Sequence, residues 1–340
     1  PGNDPVEGTD TTTYSSDTIG KKDTTGESFY FYIGTYTDSG SKGIYKATFN
    51  TGSGTISIPE LAATINNPSF QCISKDKRLL WTVTESGPGS VTGFQIDTLT
   101  GNLTKTETFS SLGYSPCYVS FDEKSLNVFT ANYNSGNITK IPVTTDGKAN
   151  GKPYSHQHVG KGPNANRQEG PHAHCIKVDP RGKYIYSCDL GTDKIYVYTV
   201  SGDSLTLYKT IAVAAGSGPR HLDFHPQLKS MAVIHELDGT ITTYLPDADG
   251  CFSIENNTVS TLPDDFSGQK WCADIHYSID GKFLYGSNRG HNSIACFKVD
   301  NSSQQSDVIN WQSTNLKTPR NFAIDPTGNY ILAANQDGNS

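Results

Sequence analysis

Six residues in the C-terminal two thirds of this 340-residue chain have side chains suited to chemistry: His172, His174, Arg220, Glu236, Arg289 and Arg320. A glutamate and a histidine brought together can exchange a proton near neutral pH. Two or three arginines beside them supply fixed donors for a carboxylate, a phosphate or a developing oxyanion. The same His and Glu could instead ligate a metal, but the arginines already answer the carboxylate's charge. The expectation is acid–base chemistry without metal or cofactor. There is no G-x-S-x-G elbow and no P-loop, so a serine hydrolase or a kinase has no support.

These residues are far apart in the chain, and a repeat is what gathers them. Its clearest copy is residues 170–198, GPHAHCIKVDPRGKYIYSCDLGTDKIYVY. Alternating apolar runs, separated by a DPRGK turn and a polar loop, read as antiparallel strands. Further copies open at Pro68, Pro116, Pro219 and Pro319, and a version without proline opens at Lys270. Repeats of about 40–50 residues with several short strands each signal a β-propeller. Six openings plus a half unit at residues 29–50 give the expected fold: all-β, a seven-bladed β-propeller of four-stranded antiparallel blades.

That architecture predicts two rings of residues on one face. The first lies at the start of each innermost strand: Ser69, Cys117, His174, Arg220, Ala273 and Arg320. The second follows each second strand: Glu85, Asn132, Asp189, Glu236, Asn288 and Asn335, with Thr35 from the half unit. His172 precedes the first ring, and Arg289 and His291 follow the second. His221 alternates away from Arg220 and is expected between blades; His225 belongs to the opposite face. Asn and Asp at strand ends also cap turns by bonding nearby backbone, an alternative open for Asn132, Asp189 and Asn335.

Composition agrees with a β-rich chain: 33 Gly, 17 Pro and a single Met. Net charge is −7, and no Lys/Arg cluster appears, which speaks against nucleic acid as a partner. No apolar run approaches the roughly 18–20 residues of a membrane span. The seven cysteines lie in apolar strand contexts without CxxC spacing and are expected to be buried free thiols. Residues 1–28, rich in Thr, Ser, Asp and Gly, are expected to form a polar, disordered leader to a single propeller domain at 29–340. Such a leader suits a tether after a cleaved signal or a lipid anchor upstream of residue 1. It points to the cell envelope, periplasm or medium, with a cytoplasmic enzyme as the alternative. The last unit stops where a third strand is due, so the last blade is expected to be truncated.

Several segments carry a resemblance: GTYT at 34–37, GPHAH at 170–174, GSGPRHLDFHP at 216–226, HELDGTITTY at 235–244, SNRGHNSI at 287–294 and PRNFAIDPTGNYILAANQD at 319–337. Together they resemble the seven-bladed propeller lactonases, which include propeller-type 6-phosphogluconolactonases and fungal carboxymuconate-lactonizing enzymes. The resemblance implies hydrolysis of a small-molecule sugar δ-lactone, 6-phosphogluconolactone by default. It maps the family's implicated residues onto His172, Arg220, Glu236 and Arg289. The substrate-binding set expected around them is His174, Arg320, Asn288, His291, Asn132 and Tyr36. Glu236 or a histidine would take a proton from the attacking water, and Arg220 and Arg289 would hold phosphate or oxyanion. The alternatives are a lyase or cycloisomerase acting on a carboxylated lactone and a non-enzymatic interaction platform.

Overall fold

In the computed structural model, residues 26–38 and 40–338 are described. Regular structure among them is entirely β, in seven antiparallel sheets. Six sheets have four strands and span residues 28–64, 71–110, 116–157, 173–212, 219–260 and 272–312; the sheet at 319–335 has two. The fold is thus a propeller of four-stranded antiparallel blades, in which six sheets, not the expected seven, reach four strands among the described residues. In the first sheet, Gly43–Asn50 pairs with Ser28–Ile33 on one side and with both Thr55–Ile56 and Glu60–Thr64 on the other. Among the described residues no helix is long and apolar enough to cross a membrane.

Most of the expected leader, residues 1–25, lies outside the described residues. Ser28 belongs to the fold instead. It opens the first strand opposite Asn50 and accepts a 3.0 Å hydrogen bond from that side chain. At the other end of the chain, Tyr330 packs edge-on to Phe49 at 5.0 Å, which joins the two-stranded sheet to the first.

The turn in each repeat has a local cause. Asp179 and Tyr184 exchange a backbone bond, Gly182 donates to the Asp179 carbonyl, and the Asp179 carboxylate accepts from the Lys183 N–H. Gly182 takes a left-handed φ of 77°, which costs glycine little. The alternating side chains then fill the space between blades. Tyr186 and Phe224 meet at 5.5 Å, and Trp81 meets Phe121 at 5.8 Å. Each such fully buried side chain contributes on the order of 1.5–3 kcal/mol.

The feature that builds the site is a β-bulge repeated near the start of the innermost strands. Pairing passes from Pro116 to Tyr118, from Ala173 to Cys175, from Pro219 to His221 and from Pro319 to Asn321; in the sixth sheet it passes from Cys272 to Ile275. The unpaired residues are Cys117, His174, Arg220 and Arg320, with Ala273 and Asp274 in the sixth sheet. A bulge sets two residues against one and re-aims side chains, so strict alternation fails there. His221 therefore does not sit between blades as expected. Its ring packs against Phe70, Tyr118 and His174 at 5.5, 5.1 and 5.2 Å, and these rings from four sheets meet beneath Arg220.

An ionic network adjoins that plug. Asp274 accepts from His221 at 2.8 Å and from His276 at 3.2 Å, and Asp223 pairs with Lys177 at 2.7 Å. Burial would lower the His276 value, but Asp274 and Asp223 raise it from 6.5 to about 10. A raised histidine stabilises the fold fully below its unfolded value and loses that contribution as pH rises through the folded one. The melting temperature should therefore fall between pH 6.5 and about 10, and His276→Gln should flatten the decline. Parallel slopes for the two proteins in a thermal-shift series would refute this.

Candidate active site

A second repeated contact sets the other ring. The backbone N–H groups of Glu85, Tyr133, Leu190, Glu236, Arg289 and Gln336 each donate to the carbonyl just before an innermost strand, at 2.8–3.0 Å. Those acceptors are Asn67, Ser115, His172, Gly218, Trp271 and Thr318. The ring expected from the sequence therefore mixed two registers. Glu85 and Glu236 hold the loop position, whereas Asn132, Asp189 and Asn288 are one residue too early and end their strands.

The strand-end residues are buried and occupied. Asn132 donates to the Ser111 carbonyl at 3.0 Å, and Asn288 both donates to and accepts from Thr261 at 2.8 Å. Asp189 pairs with His158 at 2.6 Å and accepts from the His172 N–H at 2.9 Å. The contacts of Asn132 and Asn288 fasten loops to their sheets, the capping alternative left open for Asn132, whose Oδ1 is buried without a hydrogen-bond partner among the described residues. His291 lies against Ser293 at 2.8 Å and edge-on to Phe266 at 4.8 Å, within its own blade.

Glu236 is the centre of what remains. Its Oε2 accepts from Arg220 Nε at 2.9 Å and pairs with Arg289 Nη2 at 2.7 Å. Its Oε1 accepts from Arg167 Nη2 at 2.5 Å and from the Trp271 indole at 3.1 Å. An ionised carboxylate has about four lone-pair sites, and all are taken. Burial alone would raise the Glu236 value, but Arg289, Arg220 and Arg167 lower it to about 2. The backbone holds the guanidiniums in turn. Arg220 donates to the Ala273 carbonyl at 2.6 Å, Arg289 donates to the Cys272 carbonyl at 3.0 Å, and Arg289 also stacks over Trp271 at 4.3 Å. A buried carboxylate this well satisfied is a counter-ion and an anchor. Such surroundings oppose proton uptake, which speaks for the histidine of the two bases, Glu236 or a histidine, expected from the sequence.

His172 stands in the same cluster. Its ring stacks on Tyr133 at 4.5 Å, and the Tyr133 hydroxyl accepts from Arg167 at 3.3 Å. Nδ1 faces the Tyr133 carbonyl at 3.0 Å, and Nε2 faces the exposed Glu169 carboxylate at 3.1 Å. A proton on Nδ1 is donated to that carbonyl, and a proton taken up on Nε2 is donated to the Glu169 carboxylate. His174 lies deeper, with Nδ1 3.7 Å from Cys117 Sγ. Burial, Arg220, His221 and Arg320 hold it well below the usual histidine range, so it stays neutral. Arg320 lies over Tyr36 at 5.6 Å, and the Tyr36 hydroxyl donates to Glu85 at 2.8 Å.

The structure thus brings His172, Arg220, Glu236 and Arg289 together, with His174 beneath and Arg320 and Tyr36 alongside. Sequence reasoning missed Tyr133, Arg167, Glu169 and Trp271. Tyr133 becomes visible once the loop ring is shifted by one residue, and Trp271 holds the position before an innermost strand that His172 holds in the fourth sheet. Arg167 and Glu169 sit in the connection between the third and fourth sheets, outside the repeat, where no alignment of units could find them.

Comparison with known proteins gives the family. The family described as "Lactonase, 7-bladed beta-propeller" matches residues 30–340. The chain belongs to that lactonase family. A 6-phosphogluconolactonase of Bacillus subtilis is 39% identical over 309 residues, covering 90% of this chain and 88% of its own length. A 6-phosphogluconolactonase of Formosa agariphila is 33% identical, with 91% and 90% covered. Among solved structures of similar chains, the periplasmic gluconolactonase of Pseudomonas aeruginosa superposes with a TM-score of 0.86 at 29% identity, covering 92% of this chain and 90% of that one. The lactonase match spans every sheet and every residue of the cluster.

Proposed function

We propose that this lactonase hydrolyses a sugar δ-lactone to the aldonic acid, on a ring whose seventh blade includes the two-stranded sheet. The observation that carries the reading is the carboxylate pinned by three guanidiniums beside a histidine whose Nε2 meets only an exposed carboxylate, that of Glu169. Water attacks the lactone carbonyl while His172 Nε2 takes its proton. Arg220 and Arg289 stabilise the oxyanion that forms, in a site where charge is poorly screened. When the tetrahedral intermediate collapses, the acyl–oxygen bond breaks and His172 returns the proton to the departing ring oxygen. Glu236 keeps Arg220 and Arg289 aligned throughout and transfers no proton.

The named relatives support a phosphorylated substrate in two cases and an unphosphorylated one in the third. Export, expected from the polar leader, would favour the unphosphorylated lactone. Because Glu236 is saturated by donors, turnover should survive exhaustive EDTA treatment. The test is a pH-stat assay of the chelated protein on glucono-δ-lactone, its 6-phosphate and a carboxylated γ-lactone. Faster acid release from either sugar lactone supports the reading. Reaction of the γ-lactone alone favours the lyase or cycloisomerase, and activity restored only by Ca²⁺ or Zn²⁺ sinks the metal-free mechanism.

A further inference from the structure

Three guanidiniums hold Glu236, but they are not equivalent. The Arg220 and Arg289 side chains are 2% and 3% exposed, whereas that of Arg167 is 32% exposed. The first two lie on or beside innermost strands and are tied to backbone carbonyls. Arg167 reaches in from the connection between the third and fourth sheets and donates to the Glu236 carboxylate and the Tyr133 hydroxyl. The base of its loop is firmly fixed. Gln168, fully buried, donates to the Leu190 carbonyl at 2.8 Å and to Asp193 at 2.7 Å, and accepts from the Asn164 N–H at 3.1 Å. Either side of this peg, Arg167 turns to Glu236 and Glu169 turns to His172.

An ion pair open to water is held weakly, and separating a buried one leaves uncompensated charge. Of the three arginines, Arg167 can change partner at least cost. If it leaves, Glu236 still has Arg220, Arg289 and the Trp271 indole. A guanidinium fork matches the oxygens of a phosphate monoester and can bind two at once.

We propose that Arg167 is a specificity-determining residue, moving from Glu236 to the phosphate of a phosphorylated lactone. The substrate in this statement rests on the lactone-opening reading above; the choice of residue rests on exposure and bonding alone. Arg220 and Arg289, expected from the family resemblance to hold phosphate or oxyanion, stay on Glu236.

The test compares wild type, Arg167→Gln and Arg167→Lys on 6-phosphoglucono-δ-lactone and glucono-δ-lactone. Arg167→Gln should raise KM for the phosphorylated lactone at least tenfold more than it raises KM for glucono-δ-lactone, with the larger loss in KM rather than in kcat. Arg167→Lys should restore part of the difference, since it keeps the charge and loses the fork. Equal losses on both lactones, or an unchanged preference, overturn the assignment. Calorimetric binding of 6-phosphogluconate and gluconate separates this proposal from the reaction itself. If wild type turns over neither lactone, the lactone reading fails. Arg167 is then upheld only if a preference for 6-phosphogluconate disappears in Arg167→Gln; no preference, or one that persists, overturns it.

Discussion

Replacing Glu236 with glutamine should cost both stability and rate, in a pattern that marks a counter-ion. The amide keeps the shape but leaves Arg220 and Arg289 buried without a matching charge. Breaking a buried pair from one side typically costs about 3–5 kcal/mol, enough to lower the melting temperature by several degrees. With the arginines no longer aligned, kcat/KM should fall by about 10²–10³, the scale of losing a preorganised charge stabiliser. The pH dependence identifies the role. Glu236 is lowered from 4.5 to about 2, so its stabilisation is present above pH 4.5 and lost as pH falls through about 2. The gap in melting temperature between wild type and variant should narrow over that interval. Between about pH 4 and 8 the rate profile of the variant should keep the wild-type shape at reduced height. If the acid limb disappeared in Glu236→Gln, Glu236 would be the proton acceptor after all.

Replacing His172 with asparagine should do the reverse. The side chain contributes a stack on Tyr133 and hydrogen bonds near the surface of the cluster, so the fold should lose little. Removing the general base should lower kcat by about 10²–10⁴ and leave KM nearly unchanged. A variant that kept kcat within about twofold would place proton transfer elsewhere. A large rise in KM at constant kcat would make His172 a binding residue.

The sequence carried the blade repeat plainly, because every unit solves the same burial problem with the same turn. Pro171, Asp179 and Gly182 punctuate one copy, and Pro319, Asp325 and Gly328 punctuate another. The first ring was legible for the same reason: Cys117, His174, Arg220 and Arg320 occupy one bulge. The bulge itself was not legible, since alternation alone cannot show where two residues oppose one. His221 was misplaced on that account. The second ring slipped because an aligned Asn, Asp or Glu looks alike whether it ends a strand or begins a loop. One backbone hydrogen bond, repeated from blade to blade, separates Asn288 from Arg289 and Asn132 from Tyr133. Between Glu236 and a histidine as the base, the sequence alone could not choose. Residue type shows what a carboxylate can do, but the number of donors around it decides what it does, and one of those donors, Arg167, comes from outside the repeat.

The most direct test of the central claim is ring opening of 6-phosphoglucono-δ-lactone in ¹⁸O-labelled water, followed by mass spectrometry against a protein-free control. Hydrolysis at the carbonyl predicts that wild type outpaces the spontaneous reaction and that each product carries one ¹⁸O, in the carboxylate. Opening no faster than the control, or a product formed without the label, would contradict it.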